Sequence, residues 1–135
     1  MSQSQITVGV VLEDCDIPGL SAAEIAEYGA VSGDNNPVHS DLSLAKRAGL
    51  EGIPAQGMFL MAVVASNLEK WPHCRSIRKL AIRFVSPVLA ERQLRLSSRI
   101  MKVDQQRQTV ILRILLYQRQ QIVSMGEADI VLTGH

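Results

Sequence analysis

The stretch Gly57-Met-Phe-Leu-Met-Ala-Val-Val-Ala65 contains the most apolar run of the chain and decides the fold. We expect it to open a helix that continues to about Lys70. Such a helix has almost no polar face, and a helix that is apolar all round is usually a buried one. In a chain of 135 residues, that burial requires the other elements to wrap around the helix.

The second half of the chain supplies elements that can do so. Four segments rich in β-branched and aliphatic residues predict strands with short polar breaks between them. Asp104-Gln-Gln-Arg107 has the polar residues of a hairpin connection. The run Val110–Leu116 lacks polar alternation, which predicts a strand covered on both faces. The four predicted strands are Ile77–Val88, Gln93–Val103, Thr109–Tyr117 and Ile122–Leu132.

The first half predicts one strand and two shorter helices. Ile6–Leu12 is a β-branched run and is typical of a strand. Ser21 and Glu24 have the spacing of a capping box, which opens a helix running to about Val31. A short helix should follow over Asp41–Ala48, since aspartate is a good N-cap and a glycine comes next.

This order of elements predicts an α+β domain, in which an antiparallel sheet curls around one long central helix. We expect residues 1–135 to form a single domain. The outer face of such a sheet still carries aliphatic side chains. Burying them against a second copy is a natural solution, so we expect a homodimer or a larger homo-oligomer.

Composition excludes several classes of function. Fourteen Lys and Arg against thirteen Asp and Glu give a net charge of +1, so no strong field favours nucleic acid or an anionic membrane. No run reaches the roughly 18–20 apolar residues of a membrane span, and Met1–Gln5 lacks the start of a signal peptide. Cys15 and Cys74 are isolated, which argues against a disulfide or a metal site. We therefore expect a cytoplasmic protein without a metal.

The candidate chemistry lies in Tyr28-Gly-Ala-Val-Ser-Gly-Asp-Asn-Asn-Pro-Val-His39. Asp34 and His39 lie five residues apart across a turn that Pro37 stiffens. A carboxylate and an imidazole on one rigid loop can share a water or a substrate proton, because histidine exchanges protons near neutral pH. Either residue alone is more often structural, since aspartates after glycine commonly make turns.

Gly57 adds a second candidate group at the start of the long helix. The first amides of a helix have no intrahelical acceptor and lie at its positive end. A glycine there lets a substrate carbonyl approach closely, so its amide could stabilise negative charge on a thioester oxygen. The alternative is a glycine needed only for close packing of the helix on the sheet.

The run Ser32-Gly-Asp-Asn-Asn-Pro-Val-His39 resembles the signature of the MaoC-like (R)-specific enoyl-CoA hydratases, Gly-Asp-x-Asn-Pro-aliphatic-His after an aromatic residue. Three further stretches are similar to the family: Gly57–Met61, Arg83–Val88 and Gly126–Ala128. The resemblance implies a hot-dog fold, in which a sheet wraps a long helix. This chain departs from the family at Gln56, where the family commonly has histidine.

The resemblance also implies an activity, the syn addition of water to a trans-2-enoyl thioester. It implies that Asp34 and His39 bind the water and that the Gly57 amide meets the thioester oxygen, with no metal or redox cofactor. The implied substrate is an acyl-CoA or an acyl-carrier-protein thioester. The residues that we expect to contact it are Tyr28, Asn36, Gln56, Met58, Phe59, Arg83 and Phe84. The cations Arg75, Arg78, Lys79 and Arg83 are candidates for its phosphates, or simply a solvated face.

Two alternatives remain at this level. A hot-dog thioesterase would hydrolyse the thioester with a carboxylate and the same kind of helix-terminal amide, but it would not need the Asp34–His39 pair. An acyl-thioester-binding module would keep the fold without turnover, and the presence of Asp34, His39 and Gly57 argues against it.

Overall fold

The computed structural model describes residues 6–134, so the prediction about a signal peptide at Met1–Gln5 lies outside the described residues. Within these described residues, one strand, three α-helices and four strands follow one another. The helices are α1 (Ala22–Ser32), α2 (Leu42–Arg47) and α3 (Gly57–Leu68), with a 3-10 turn at Pro37–His39 before α2. The strands are β1 (Cys15–Ile17), β2 (Cys74–Phe84), β3 (Leu94–Asp104), β4 (Thr109–Gln118) and β5 (Gln121–Leu132).

The five strands form one antiparallel sheet with the order β1-β3-β4-β5-β2. The long strands β3, β4 and β5 follow one another through tight hairpins, and the predicted connection at Asp104–Arg107 is confirmed. β2 pairs with β5 and forms one edge of the sheet. The sequence therefore predicted the four long strands correctly, with bounds shifted by up to four residues.

The core lies between α3 and the inner face of the sheet. Leu60, Val64 and Leu68 recur every four residues, so they share one face of α3, and all three are buried. Alternate residues of the central strands meet them, including Leu112 and Ile130. The predicted α+β arrangement of a sheet around a central helix is confirmed. Truncating one such leucine to alanine typically costs about 2–5 kcal/mol.

Two predictions of complete burial are wrong for the single chain. Met58 is 65% exposed, and Ala62 and Ser66 on the same side of α3 are exposed as well. On the outer face of β4, Arg113 is exposed and Leu115 is only half-buried. The sheet covers one face of the helix, and the outer face of the sheet has no second layer within residues 6–134.

The predicted first strand at Ile6–Leu12 is also wrong. Gly9 has a φ of 94°, which breaks the extended conformation, and only Val11 makes an isolated bridge, to Arg99 of β3. The segment still follows β3, since the Gly9 N–H donates to the carbonyl oxygen of Ile100 at 2.7 Å. The regular strand begins later, at Cys15.

The predicted helix ends are confirmed. The Ser21 hydroxyl accepts a hydrogen bond from the Glu24 N–H at 3.0 Å, and the Glu24 carboxylate accepts one from the Ser21 N–H at 3.0 Å. These bonds lower the pKa of Glu24. Asp41 caps α2, and Gly49 follows that helix with a φ of 90°. No helix within residues 6–134 has the length and hydropathy needed to cross a membrane.

Candidate active site

The loop between α1 and α2 is held by short-range hydrogen bonds. Gly33 ends α1 in the left-handed region, with a φ of 82°. The Asn36 side chain accepts a bond from the Val38 N–H at 3.1 Å and so caps the 3-10 turn. The Asp34 carboxylate accepts a longer bond from the Asn36 N–H, at 3.4 Å. The sequence forms a shaped loop here because Asn and Asp side chains bond their own backbone two residues on.

This loop brings Asp34 and His39 together. His39 Nε2 lies 3.7 Å from Asp34 Oδ2, and the histidine side chain is 16% exposed while the aspartate side chain is 41% exposed. The other ring nitrogen, His39 Nδ1, lies 2.7 Å from the carbonyl oxygen of Pro54. A carbonyl oxygen can only accept, so Nδ1 carries the hydrogen. In the neutral ring, Nε2 then holds the free lone pair and faces the carboxylate.

The gap between the two side chains is suited to a water molecule. A separation of 3.7 Å between His39 Nε2 and Asp34 Oδ2 exceeds the roughly 2.7–3.2 Å of a direct hydrogen bond. One water can donate to both atoms at once, since a polar contact of this length is commonly bridged. The arrangement can therefore hold a water and accept a proton from it.

The start of α3 follows Pro54, the residue whose carbonyl oxygen contacts His39. Gln56 is the N-cap residue, but its side chain makes no capping bond to α3 in the described chain. The Gly57 amide is in the first turn and so has no acceptor within the helix. Gly57 borders a cavity of about 390 Å³. The cavity is lined by Pro54, Ala55, Gly57, Leu60, Phe84 and residues 85–88.

Pro54 connects the pair to the cavity. It lines the cavity, and its carbonyl oxygen is the partner of His39 Nδ1. Asp34 and His39 are not themselves among the residues that line this cavity. His39 is thus attached to the segment leading into α3, three residues before the Gly57 amide.

Comparison with known proteins decides the family. Residues 5–116 match the family described as the MaoC like domain. The chain belongs to this family. Over 71 residues it is 38% identical to 3-hydroxyacyl-thioester dehydratase X of Mycobacterium tuberculosis (strain ATCC 25618 / H37Rv), a match that covers 52% of this chain and 24% of that relative.

Solved structures show the fold of this MaoC-like chain. A MaoC-like dehydratase superposes with a TM-score of 0.85 and 23% identity, over 96% of this chain and 42% of the other. The (R)-hydratase from A. caviae involved in PHA biosynthesis gives a TM-score of 0.82 and 20% identity, over 98% and 100%. The predicted hot-dog fold is confirmed. The chain spans about a quarter of the length of the curated relative and less than half of the first of these structures.

Two predicted substrate contacts of this MaoC-like chain are aromatic residues that pack on each other. The rings of Tyr28 and Phe59 stack with centroids 4.9 Å apart and an angle of 9° between their planes. Both residues are half-buried, so the stack fixes α1 against α3. Phe84 does border the cavity, and Met58 is exposed beside Gly57. Contact of these four residues with a substrate stays a prediction.

Gln56 and Arg83 have surroundings that the sequence did not predict. Gln56 is 2% exposed, and its Nε2 donates to the carbonyl oxygen of Ile25 at 2.8 Å. Arg83 neighbours Phe84 in β2, so its side chain points to the opposite face of the sheet, away from α3. The structure does not bring Arg83 to the cavity at Gly57.

Among the other predicted phosphate contacts, Arg78 is engaged with Asp129 through a bond of 2.7 Å. Arg75 and Lys79 are exposed on β2. A role for these cations in binding phosphates stays a prediction. Sequence reasoning missed Pro54, whose carbonyl oxygen orients the histidine, because a backbone acceptor leaves no signal in residue type.

No three His, Cys, Asp or Glu side chains within residues 6–134 lie close enough to hold a metal ion. Cys15 and Cys74 are half-buried thiols outside the site. Burial raises the pKa of both Cys15 and Cys74, which makes them poor nucleophiles.

Proposed function

We propose that this MaoC-like domain adds water to a trans-2-enoyl thioester to give the (R)-3-hydroxyacyl thioester, or catalyses the reverse dehydration. The observation that carries the proposal is the orientation of His39. Its Nδ1 is tied to the Pro54 carbonyl oxygen, so its free Nε2 lies 3.7 Å from Asp34 Oδ2, and one water hydrogen-bonded to both atoms can bridge them.

The proposed reaction needs only proton transfers. A water held between His39 and Asp34 gives a proton to His39 Nε2 as its oxygen forms the bond to C3 of the substrate. The electron pair of the double bond moves toward the thioester oxygen, where the Gly57 N–H donates to the developing charge. The Asp34 and His39 side chains then return a proton to C2 on the same face, which completes a syn addition.

The two parts of the site differ in what they contribute. Positioned acid–base groups typically contribute about 10²–10⁴-fold in rate. A single backbone or side-chain donor to an oxyanion is typically worth about 10²–10³-fold. Water adds across a double bond without any change of oxidation state overall, so the reaction needs no redox cofactor. We propose that His39, Asp34 and the Gly57 N–H carry it without a metal. The similarity to 3-hydroxyacyl-thioester dehydratase X supports a thioester substrate, carried by coenzyme A or by an acyl carrier protein.

We also propose that the domain works as a homodimer or a larger homo-oligomer in the cytoplasm. β2 is a long strand at the edge of the sheet, and such edges readily pair with another chain. Met58, Phe84 and Val85 are apolar and exposed around the cavity. A second copy would cover them, and sedimentation or light scattering would test this.

The reaction is tested with purified protein and a series of enoyl-CoA substrates from four to twelve carbons. Hydration removes the absorbance of the conjugated double bond and releases no thiol. Release of free thiol would instead show a thioesterase. Binding of the thioester without either change would show a non-catalytic module and would contradict the proposal.

A further inference from the structure

Two glutamines are buried within residues 6–134, and only one of them is fully hydrogen-bonded. Gln118 uses both ends of its amide: Oε1 accepts from the Leu89 N–H at 2.9 Å, while Nε2 donates to the carbonyl oxygens of Leu89 and Arg92 at 3.0 and 3.1 Å. Gln56 donates from Nε2 to the Ile25 carbonyl oxygen at 2.8 Å. Its Oε1 is buried and finds no partner within residues 6–134.

Because Oε1 is unpaired, a contribution to stability does not by itself explain why a glutamine is buried at position 56. A buried acceptor without a partner is unfavourable, because it has lost its water and gained nothing in return. The Ile25 carbonyl oxygen does not depend on Gln56 either. Ile25 lies inside α1, where the helical bond from the residue four positions on already uses its carbonyl group.

The side chain of Gln56 meets the Asp34 loop at Gly29. Gly29 lies one turn after Ile25 on the same face of α1. A Cβ built on Gly29 would lie 3.3 Å from Gln56 Nε2 and 3.0 Å from the carbonyl oxygen of Asp34. Gly29 O also accepts the bond from Gly33 that ends the helix, at 3.1 Å. The absence of a side chain at this position lets the Asp34 backbone and the Gln56 amide approach the same turn of α1.

We infer that Gln56 is a positioning residue, which sets the Asp34–His39 pair relative to the Gly57 amide. Gln56 directly precedes Gly57, and its side chain holds α1, from whose end the Asp34 loop leaves. The His39 ring is tied to Pro54, two residues before Gln56. Residues just before α3 therefore hold both the helix that leads into the Asp34 loop and His39 on its far side. This role rests on the proposed hydratase reaction, in which the pair and the amide act on one substrate.

Replacement by methionine separates positioning from stability. Methionine has nearly the shape of glutamine, and Gln56→Met removes the unpaired oxygen while leaving no new group unpaired. Gln118→Met is the matched control, because it removes a buried amide that serves three backbone groups. Gln56→His is the conservative variant, since its ring Nε2 can donate at about the same reach.

The experiment measures kcat and KM for an enoyl-CoA, together with the thermal midpoint, for the full chain and these three variants. We expect Gln56→Met to lower kcat about tenfold or more with KM and the midpoint little changed, since small displacements of reacting groups are costly. Gln118→Met should lower the midpoint and keep kcat. Gln56→His should recover most of kcat. An unchanged kcat in Gln56→Met, or an equal loss of kcat in Gln118→Met, would overturn the inference.

A second readout does not need turnover. The imidazole resonances of His39 and the amide resonance of Asp34 should shift in Gln56→Met and stay in place in Gln118→Met. Unshifted resonances in Gln56→Met would overturn the positioning role even in an active enzyme. A wild-type chain that hydrates no enoyl thioester would refute the proposed function, while the resonances would still decide whether Gln56 holds the pair.

Discussion

The two ends of α3 differ in how their free backbone groups are hydrogen-bonded. At the C-terminal end, the Glu69, Lys70 and Trp71 N–H groups donate to the carbonyl oxygens of the last turn, at 3.0, 3.2 and 3.1 Å. At the N-terminal end, the cap residue Gln56 turns its side chain away to α1 and gives the helix no side-chain cap from the described chain. We call the C-terminal end, whose last carbonyl oxygens accept hydrogen bonds, the closed end of α3. The N-terminal end, whose amides stay available, is the open end.

This difference coincides with the place where we propose that the chemistry occurs. The open amides carry the positive end of the helix dipole, equivalent to about half an elementary charge. They border the cavity at Gly57, and the segment leading to them holds the ring of His39. Around the closed end lie Cys15 and Cys74, whose thiols burial keeps protonated. Variants at His39, Gly57 and Asp34 test whether function depends on the open end.

The largest effect is expected for His39→Ala at the open end. Removing the imidazole takes away the group that accepts the proton of the water in the proposed reaction, so kcat for a short enoyl-CoA should fall about 10²–10⁴-fold. The measurement is the initial rate of loss of the enoyl absorbance. His73→Ala, near the closed end, is the control and should retain the wild-type rate. Equal losses in both variants would contradict the assignment.

Gly57→Pro should come next, because it removes the amide donor without removing a helical bond. Gly57 is the first residue of α3, where proline is tolerated, and Gln56 already has the φ of −68° and ψ of 143° that suit a residue before proline. We expect kcat to fall about 10²–10³-fold. Gly57→Ala keeps the N–H and adds a Cβ 3.2 Å from the Phe84 ring, a side chain that is exposed and can move. A loss as large in the alanine variant would assign the effect to crowding.

Asp34→Asn should lower kcat about 10²-fold, since the amide can still bind the water but lacks the negative charge that favours proton transfer to His39. The double variant with His39→Ala should be little slower than His39→Ala alone, because groups that act as a unit are not additive. The rates of both single variants and the double variant decide this. Fully multiplicative losses would mean that the two side chains act independently.

The smallest effect concerns stability at the start of α1, away from the chemistry. The bonds from Ser21 hold the pKa of Glu24 below its usual value of 4.5. A group whose pKa is lower in the folded state stabilises the fold above its unfolded pKa, and this contribution is lost as the pH falls through the folded pKa. Urea unfolding at a series of pH values from neutral to about 3 should show that loss in wild type and less of it in Glu24→Gln. Identical pH profiles of stability for wild type and Glu24→Gln would contradict this role of the Glu24 carboxylate.

Local patterns in the sequence were enough for most of the fold. The capping box at Ser21, the glycine stop at Gly49 and the hairpin at Asp104 depend on neighbours only a few residues away, so residue types alone predict them. The strand predicted at Ile6–Leu12 failed because the turn at Gly9 outweighed the β-branched residues around it. The exposure of Met58 could not be predicted either. The residue type is apolar whether the side chain is buried within its own chain or against a second copy.

The sequence predicted that Asp34 and His39 lie close together, but not which groups hold the candidate site in place. Asp34, His39 and Gly57 stand in a motif that the sequence displays. Two side chains at the site are oriented by backbone oxygens far along the chain. His39 contacts the oxygen of Pro54, 15 residues away, and Gln56 contacts that of Ile25, 31 residues away. Every residue type carries such an oxygen, so only the folded chain reveals which one is used.

A crystal structure of the protein with a bound (R)-3-hydroxyacyl thioester tests the central claim most directly. We expect the 3-hydroxyl oxygen, which marks the place of the attacking water, to lie within about 3.2 Å of both His39 Nε2 and Asp34 Oδ2, with the thioester oxygen on the Gly57 N–H. A ligand bound with its hydroxyl away from the pair, or with its carbonyl away from the start of α3, would contradict the account.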